Sequence, residues 1–145
     1  MTQEHRLQDL NHRARYLGID PGKNIGLAWV NDQGKLLHSA IMDLDQITTL
    51  ASVTDSSERQ SLENLNILVG NGTGLSKLEH IFKAQQLSYQ IVDESGTSLE
   101  ARQLYFKDHP ASGWQRLLPP GLRSPSRSVD DYAAYAIVLR HLKSR

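Results

Sequence analysis

Short apolar runs separated by turn residues fill the first third of the chain, and this pattern predicts strands. The runs Arg15–Asp20 and Ile25–Asn31 are separated by a Pro-Gly pair, which forces the chain to turn. A second turn, Asp32–Gly34, leads into a third run, Lys35–Met42. Three consecutive strands joined by short turns predict an antiparallel meander.

From residue 44 onward, the predicted elements alternate between helices and strands. Amphipathic spacing predicts helices over Leu44–Asn64, over Ser76–Gln86, from near Thr97, and over Val129–Leu142. Contiguous apolar runs predict two buried strands, Asn66–Gly70 and Tyr89–Asp93. Because such alternation implies right-handed crossovers, we expect these last two strands to be parallel.

The predicted fold class is α/β, with a mixed five-stranded sheet flanked by helices. The sheet combines the three-stranded antiparallel meander with two parallel strands. A chain of 145 residues can bury one core and is too short for two lobes. We therefore expect a polar N-terminal arm over residues 1–14 and a single domain over residues 15–145.

Composition narrows the possible chemistry. The formal net charge is zero, so any basic surface must be local. There is no cysteine, and the six histidines lack paired ligand spacing, which argues against thiolate and zinc sites. Aromatic residues make up only 6% of the chain, so no stacking platform for single strands is evident. No signal peptide or membrane-spanning run is present, and we expect a soluble, cytoplasmic protein.

Two acidic residues stand at predicted strand ends beside glycine turns. Asp20 ends the first strand before the Pro-Gly pair, and Glu94 follows the fifth strand. An aspartate before Pro-Gly is also ordinary turn chemistry, so capping this turn is an alternative role for Asp20. Glu100 fits an N-capping arrangement after Thr97, whereas Glu94 has no such structural explanation.

The last predicted helix opens with two more acids, Asp130 and Asp131. Acids suit the positive end of a helix dipole, which is a structural explanation for both. Three apolar residues at helical spacing, Ala133, Ala134 and Ile137, share the face of Asp130, so its carboxylate should begin on the buried face. The face of Asp131 is less decisive, and this residue ranks second.

The predicted topology gathers Asp20, Glu94 and Asp130 near one edge of the sheet. Three carboxylates so placed would repel one another unless cations neutralise them. Carboxylate oxygens are hard ligands that suit Mg²⁺ or Mn²⁺. The sequence therefore predicts a divalent-metal site of Asp20, Glu94 and Asp130, with Asp131 as a further candidate ligand.

Candidate substrate contacts come from a basic segment and from two turns. The segment Ala111–Arg127 is proline-rich and holds Arg116 and Arg123 without a single acid. Arg127, next to the candidate acids, and Lys23, in the turn after Asp20, are placed to contact phosphates. Each of these residues is otherwise an ordinary exposed cation.

Two polar residues after the fourth strand are weaker candidates. Asn71 and Thr73 could orient a substrate there. The favoured alternative is structural: an Asn-Gly turn, with Thr73 capping the next helix. The sequence leaves both roles open.

Three motifs together resemble the YqgF branch of the RuvC-like nucleases, which have a ribonuclease H fold. LGIDPGKNIGLAWV (residues 17–30) resembles the family's opening strand motif, and DESGTSLEAR (93–102) resembles its acid pair. SVDDYAAYAIVL (128–139) resembles its closing helix. The run ILVGNGTGLSKLE (67–79) is also similar to the YqgF-like domain of the Tex transcription accessory proteins. The resemblance covers the chain from about residue 15 to its C-terminus.

This resemblance implies metal-dependent hydrolysis of phosphodiester bonds in structured nucleic acid. The substrate class would be pre-ribosomal RNA or branched DNA such as Holliday junctions. The implied ligands of two divalent ions, about 4 Å apart, are Asp20, Glu94 and Asp130, which makes them the catalytic residues. A homodimer would suit a two-fold junction.

Two other functions stay open. The likeness to Tex suggests a catalytically inactive nucleic-acid-binding or scaffold domain. A phosphotransferase-like domain could use a related Asp-Gly turn for nucleotide phosphates, although that class needs a second lobe. Salt-sensitive binding without metal-dependent turnover would distinguish the binding domain from the nuclease.

Overall fold

The computed structural model describes residues 2–3, 12–43, 64–119 and 122–144. Most of the predicted polar arm and nearly all of the predicted helix over 44–64 lie outside these residues. In the described ranges, no helix combines the length and apolar character needed to cross a membrane.

A mixed five-stranded sheet in the order β3-β2-β1-β4-β5 forms the centre of the described structure. Its strands are β1 (Ala14–Pro21), β2 (Asn24–Asn31), β3 (Leu36–Asp43), β4 (Asn66–Gly70) and β5 (Gln90–Val92). Neighbours β1, β2 and β3 pair antiparallel, whereas β4 pairs parallel with both β1 and β5. The predicted α/β class, with a meander joined to two parallel strands, is confirmed.

Three α-helices accompany the sheet in the described residues. They are α1 (Leu75–Ala84), α2 (Thr97–Asp108) and α3 (Asp130–Lys143), and a short 3-10 helix covers Gly113–Leu117. The predicted capping residues are wrong for two of them. Glycines occupy the N-cap positions of α1 and α2, and neither helix start has a side-chain cap. Thr73 therefore does not cap α1, and Glu100 bonds instead to Arg140 of α3, at 2.7 Å.

The two faces of the sheet bury different helices. Leu17 and Ile19 of β1 belong to the core cluster that contains Leu78 and Phe82 of α1. Tyr16, one residue out of phase, belongs to the cluster formed with α3. This alternation is the two-residue period of a strand that is buried on both faces.

Helix α3 lies unusually close to the central strands because glycines face it. A Cβ atom at Gly18 of β1 would lie 2.3 Å from the carbonyl oxygen of Ala134. At Gly26 of β2 it would lie 1.8 Å from the carbonyl oxygen of Asp130. The main chain of α3 therefore rests directly on the sheet, and this contact sets where its first residue lies.

Candidate active site

Asp20 lies near the end of β1, opposite Gly26 of β2, with its side chain half-buried. The pKa of its carboxyl group is raised from 3.8 to about 7, and burial is the largest cause. A hydrogen bond with Glu94 and the negative charges of Glu94 and Asp130 contribute the rest of this rise in pKa. Glu94 and Asp130 therefore lie close enough for their charges to act on Asp20.

Glu94 follows β5 and sits in a cradle made by two glycines. A Cβ atom at Gly70 would lie 2.2 Å from its Oε2 atom, and one at Gly72 would lie 2.5 Å from its Oε1 atom. Oε2 is buried, and no group among the described residues donates a hydrogen bond to it. Leaving a carboxylate oxygen buried and unpaired is costly, so this atom is suited to a partner of positive charge.

The loop that carries Glu94 is held from both sides. The Glu94 main-chain N–H donates to Oδ1 of Asn71 at 3.1 Å, and Thr97 Oγ1 donates to the Glu94 carbonyl at 2.7 Å. From α3, Arg140 donates to the carbonyls of Asp93 and Ser95 at 2.8 and 2.6 Å. These bonds fix the main chain on each side of Glu94 and so determine where its carboxylate points.

Asp130 is the first residue of α3, and its side chain is half-buried. Its Oδ2 atom accepts a hydrogen bond from Ser128 Oγ at 2.5 Å. The main chain of Asp130 lies against Gly26 of β2, and Gly26 is the residue that pairs with Asp20. The predicted meeting of Asp130 with Asp20 and Glu94 thus follows from a glycine in a strand and a helix start.

Asp131 belongs to a different set of contacts. It is 4% exposed and accepts hydrogen bonds from Ser39 Oγ at 2.9 Å and from the two terminal nitrogens of Arg127 at 3.1 and 3.2 Å. The sequence placed Asp130 on the buried face, but Asp131 is the more buried of the two. The reason is that α3 packs against α2 as well as the sheet. We therefore do not include Asp131 among the proposed ligands.

The predicted phosphate-binding residues divide into two groups. Arg127 is paired with Asp131 and lies over the rings of Tyr105 and Tyr132, so its guanidinium stabilises the fold. Arg123 donates only to main-chain carbonyls, as described below. Lys23 and Arg116 are exposed.

Asn71 and Thr73, the two polar residues after β4, have different surroundings. Asn71 positions the main chain of Glu94 through the hydrogen bond described above. Thr73 is exposed and caps no helix. The structure thus gives one of these two residues a supporting role in the site.

The three acids suit a hard divalent cation, by the chemistry of the donors and by two observations. Glu94 Oε2 is a buried oxygen without a partner among the described residues, and the pKa of Asp20 is raised by burial and by its carboxylate neighbours. A divalent ion would relieve both, because it neutralises the like charges that a proton otherwise has to balance. Within the described residues, no three His, Cys, Asp or Glu side chains stand in a formed metal-ligand arrangement. Asp20 and Glu94 instead lie within hydrogen-bonding reach of each other.

Sequence reasoning missed several residues that build this site. Gly70 and Gly72 form the cradle of Glu94, Ser128 holds Asp130, and Arg140 ties down the Glu94 loop. The Gly-Asn-Gly run after β4 was a usable signal, because repeated glycine marks close approach. The position of Arg140 offered no signal, since its partners near Glu94 are main-chain carbonyls that only the folded chain brings near.

No protein-family model and no curated protein matches the chain. The interpretation of the site therefore rests on its own geometry and on the motifs quoted above.

Proposed function

We propose that this protein is a divalent-metal-dependent endonuclease of the YqgF branch of the RuvC-like, ribonuclease H-fold nucleases. The observation that carries the proposal is the meeting of Asp20, Glu94 and Asp130 at one edge of the sheet, with the Glu94 oxygen unpaired. The mixed sheet, with its meander followed by two parallel strands, is compatible with that fold. The substrates would be structured RNA or branched DNA.

Each acid has a distinct part in the proposed site. Glu94, fixed by its glycine cradle and by the bonds on each side of it, would provide the most rigid ligand. Asp20, half-buried between the other two acids, would exchange its proton for the ion. Asp130, held by Ser128, would complete the set from the helix. Bound Mg²⁺ or Mn²⁺ would supply an activated water and stabilise the leaving oxygen of a phosphodiester.

The test is cleavage of a labelled pre-ribosomal RNA fragment and of a four-way DNA junction in Mg²⁺ or Mn²⁺. We expect the wild type to cleave one of them and Asp20→Asn to lose at least about 100-fold in rate, since it removes a ligand charge and keeps the shape. Asp32→Asn is the matched control, because Asp32 is an exposed aspartate of the β2–β3 turn. Equal rates for wild type and Asp20→Asn would refute the proposed site.

A second candidate function is nucleic-acid binding without cleavage. It is favoured by the charges of Arg116 and Arg123, which form no ion pair within the described residues. Salt-sensitive binding of either substrate by a wild type that cleaves neither would support this function. In that case Asp20→Asn should leave the affinity unchanged or raise it, because it removes a negative charge.

A further inference from the structure

Three large apolar side chains between residues 113 and 122 are exposed to solvent. Trp114 is 71% exposed, Leu117 87% and Leu122 67%, more than any other large hydrophobic residue described. Single exposed apolar residues are common, but a cluster that includes tryptophan is typical of a binding surface. The other tryptophan, Trp29, is 6% exposed in the core.

The 3-10 helix that carries Trp114 is held firmly even though its side chains face outward. Arg123 Nε donates to the carbonyls of Gln115 and Leu118 at 3.2 and 3.1 Å, and its terminal nitrogen donates to the carbonyl of Arg116 at 3.3 Å. The Ser124 main-chain N–H adds a bond to the Gln115 side chain at 3.0 Å. An exposed tryptophan on a fixed turn loses little entropy when it binds, which favours a role in recognition.

The charge around this tryptophan favours an anionic partner. No acid occurs between residues 111 and 127. The partners of Arg123 are neutral carbonyls, so its charge is not compensated there, and Arg116 forms no ion pair within the described ranges. An aromatic ring beside uncompensated arginines is the combination that binds bases and phosphates of unpaired nucleic acid.

The same segment leads directly into the candidate active site. Ser126 Oγ hydrogen-bonds with the Tyr105 hydroxyl at 3.0 Å, Arg127 pairs with Asp131, and Ser128 holds Asp130. The segment that begins at the Trp114 turn therefore ends on one of the three acids.

We propose that Trp114 stacks on an unpaired base of the substrate, while Arg116 and Arg123 contact the adjoining phosphates. This inference rests on the nucleic-acid substrate of the proposed function and narrows it to structures that contain unpaired bases. It assigns a binding role to an aromatic residue that the composition alone did not suggest. A second copy of this chain or another protein is the competing occupant of the surface.

The test uses intrinsic fluorescence, because the protein has two tryptophans in opposite environments. The probes are a DNA duplex and the same duplex with a single-stranded gap, titrated into the full chain in Ca²⁺ and again in EDTA. Stacking should quench the exposed Trp114 signal and leave that of Trp29 unchanged. We expect quenching with the gapped duplex and little with the intact one.

Variants separate stacking from other uses of the surface. Trp114→Ala should weaken binding of the gapped duplex roughly 5- to 150-fold, whereas Trp114→Phe should keep most of the affinity. Leu117→Ala, on the same face of the 3-10 helix, and Leu99→Ala, an exposed leucine of α2, should have little effect. Circular dichroism of each variant checks that the fold is retained.

Three results would overturn the inference. One is equal affinity of wild type and Trp114→Ala for the gapped duplex, and another is the absence of any binding in both Ca²⁺ and EDTA. The third is concentration-dependent self-association that Trp114→Ala and Leu117→Ala abolish alike, which would assign the surface to a second copy. If Trp114→Ala cleaves the substrate and binds it with unchanged affinity, this inference is wrong and the proposal of a nuclease stands. If Trp114 fluorescence is quenched but no substrate is cleaved, this inference stands and the proposal of a nuclease is wrong.

Discussion

Gly26 of β2 and Asp130 of α3 are in main-chain contact, and there is no room for a side chain between them. We expect Gly26→Ala to displace the start of α3, because the obstructing atoms are main-chain carbonyl and amide atoms that cannot rotate away. The cost should be at least about 2 kcal/mol of unfolding free energy. Thermal and denaturant unfolding measure it.

Gly74→Ala is a suitable control for Gly26→Ala. The nearest atom to a Cβ at Gly74 lies at 3.3 Å, so its neighbours need to shift by only a few tenths of an ångström. If both variants lose equal stability, close approach of the helix is not what makes Gly26 necessary.

Gly70→Ala should affect the proposed site far more than the fold. The nearest atoms to a Cβ at Gly70 are side-chain atoms of Glu94 and Ile137, which can rotate away. We therefore expect a loss of about 1 kcal/mol in stability together with a fall in metal affinity of at least about tenfold. Calorimetric titration with Mn²⁺ measures the affinity.

A double-mutant cycle tests this explanation of Gly70. In a Glu94→Ala background, Gly70→Ala should cost less stability, because the carboxylate that the new methyl group would displace is absent. Additive costs would show that Gly70 and Glu94 act independently.

The raised pKa of Asp20 predicts how stability depends on pH without metal. The folded protein holds this proton up to about pH 7, whereas the unfolded chain releases it near 3.8. The stability contributed by the proton is therefore complete at low pH and lost as the pH rises through about 7. Asp20→Asn cannot titrate, so in EDTA at about pH 8 it should be more stable than the wild type by about 1–2 kcal/mol.

The stability advantage of Asp20→Asn over the wild type should shrink as the pH falls towards about 5. It should reverse when Mn²⁺ is added, since the ion stabilises the wild type more than the variant. Urea unfolding at each pH measures both trends. A pH-independent difference between the two proteins would contradict the assigned pKa.

Asp130 and Asp131 should separate into two phenotypes despite being adjacent. Asp131→Asn weakens the ion pair with Arg127 at its buried end and should lower the stability. Because Arg127 is partly exposed, we expect the loss to be limited to about 1–3 kcal/mol. Asp130→Asn should retain the stability of the wild type and lose metal affinity. Parallel unfolding and Mn²⁺ titration of the two variants distinguish them, and the reverse pattern would exchange their roles.

Strand positions were predictable where the apolar pattern is local. The predicted and observed bounds of β4 agree, Asn66–Gly70, because a contiguous apolar run there is closed by Gly-Asn-Gly. β5 is shorter than predicted, Gln90–Val92 instead of Tyr89–Asp93, as is common for an edge strand with a single neighbour. The predicted helix caps were wrong because Gly74 and Gly96 occupy the N-cap positions that were predicted for hydroxyl side chains.

The meeting of the acids was predictable, and their individual surroundings were not. Strand ends and a helix start bring Asp20, Glu94 and Asp130 to one edge, which topology alone indicates. The preference of Asp131 for Arg127 and Ser39 depends on α2 packing beside α3, a contact between segments distant in sequence. The same holds for Arg140, whose partners come from the loop around Glu94.

The three acids come from the early, middle and late parts of the chain, and this gives the proposed ion a mechanical role. An ion held by all three would join segments that are otherwise connected only through long stretches of chain, and closing long loops restricts the unfolded state most. This sequence has no cysteine and so no disulfide. A bound ion would act as a reversible cross-link between these three segments. A chelator would remove it, and added metal would restore it.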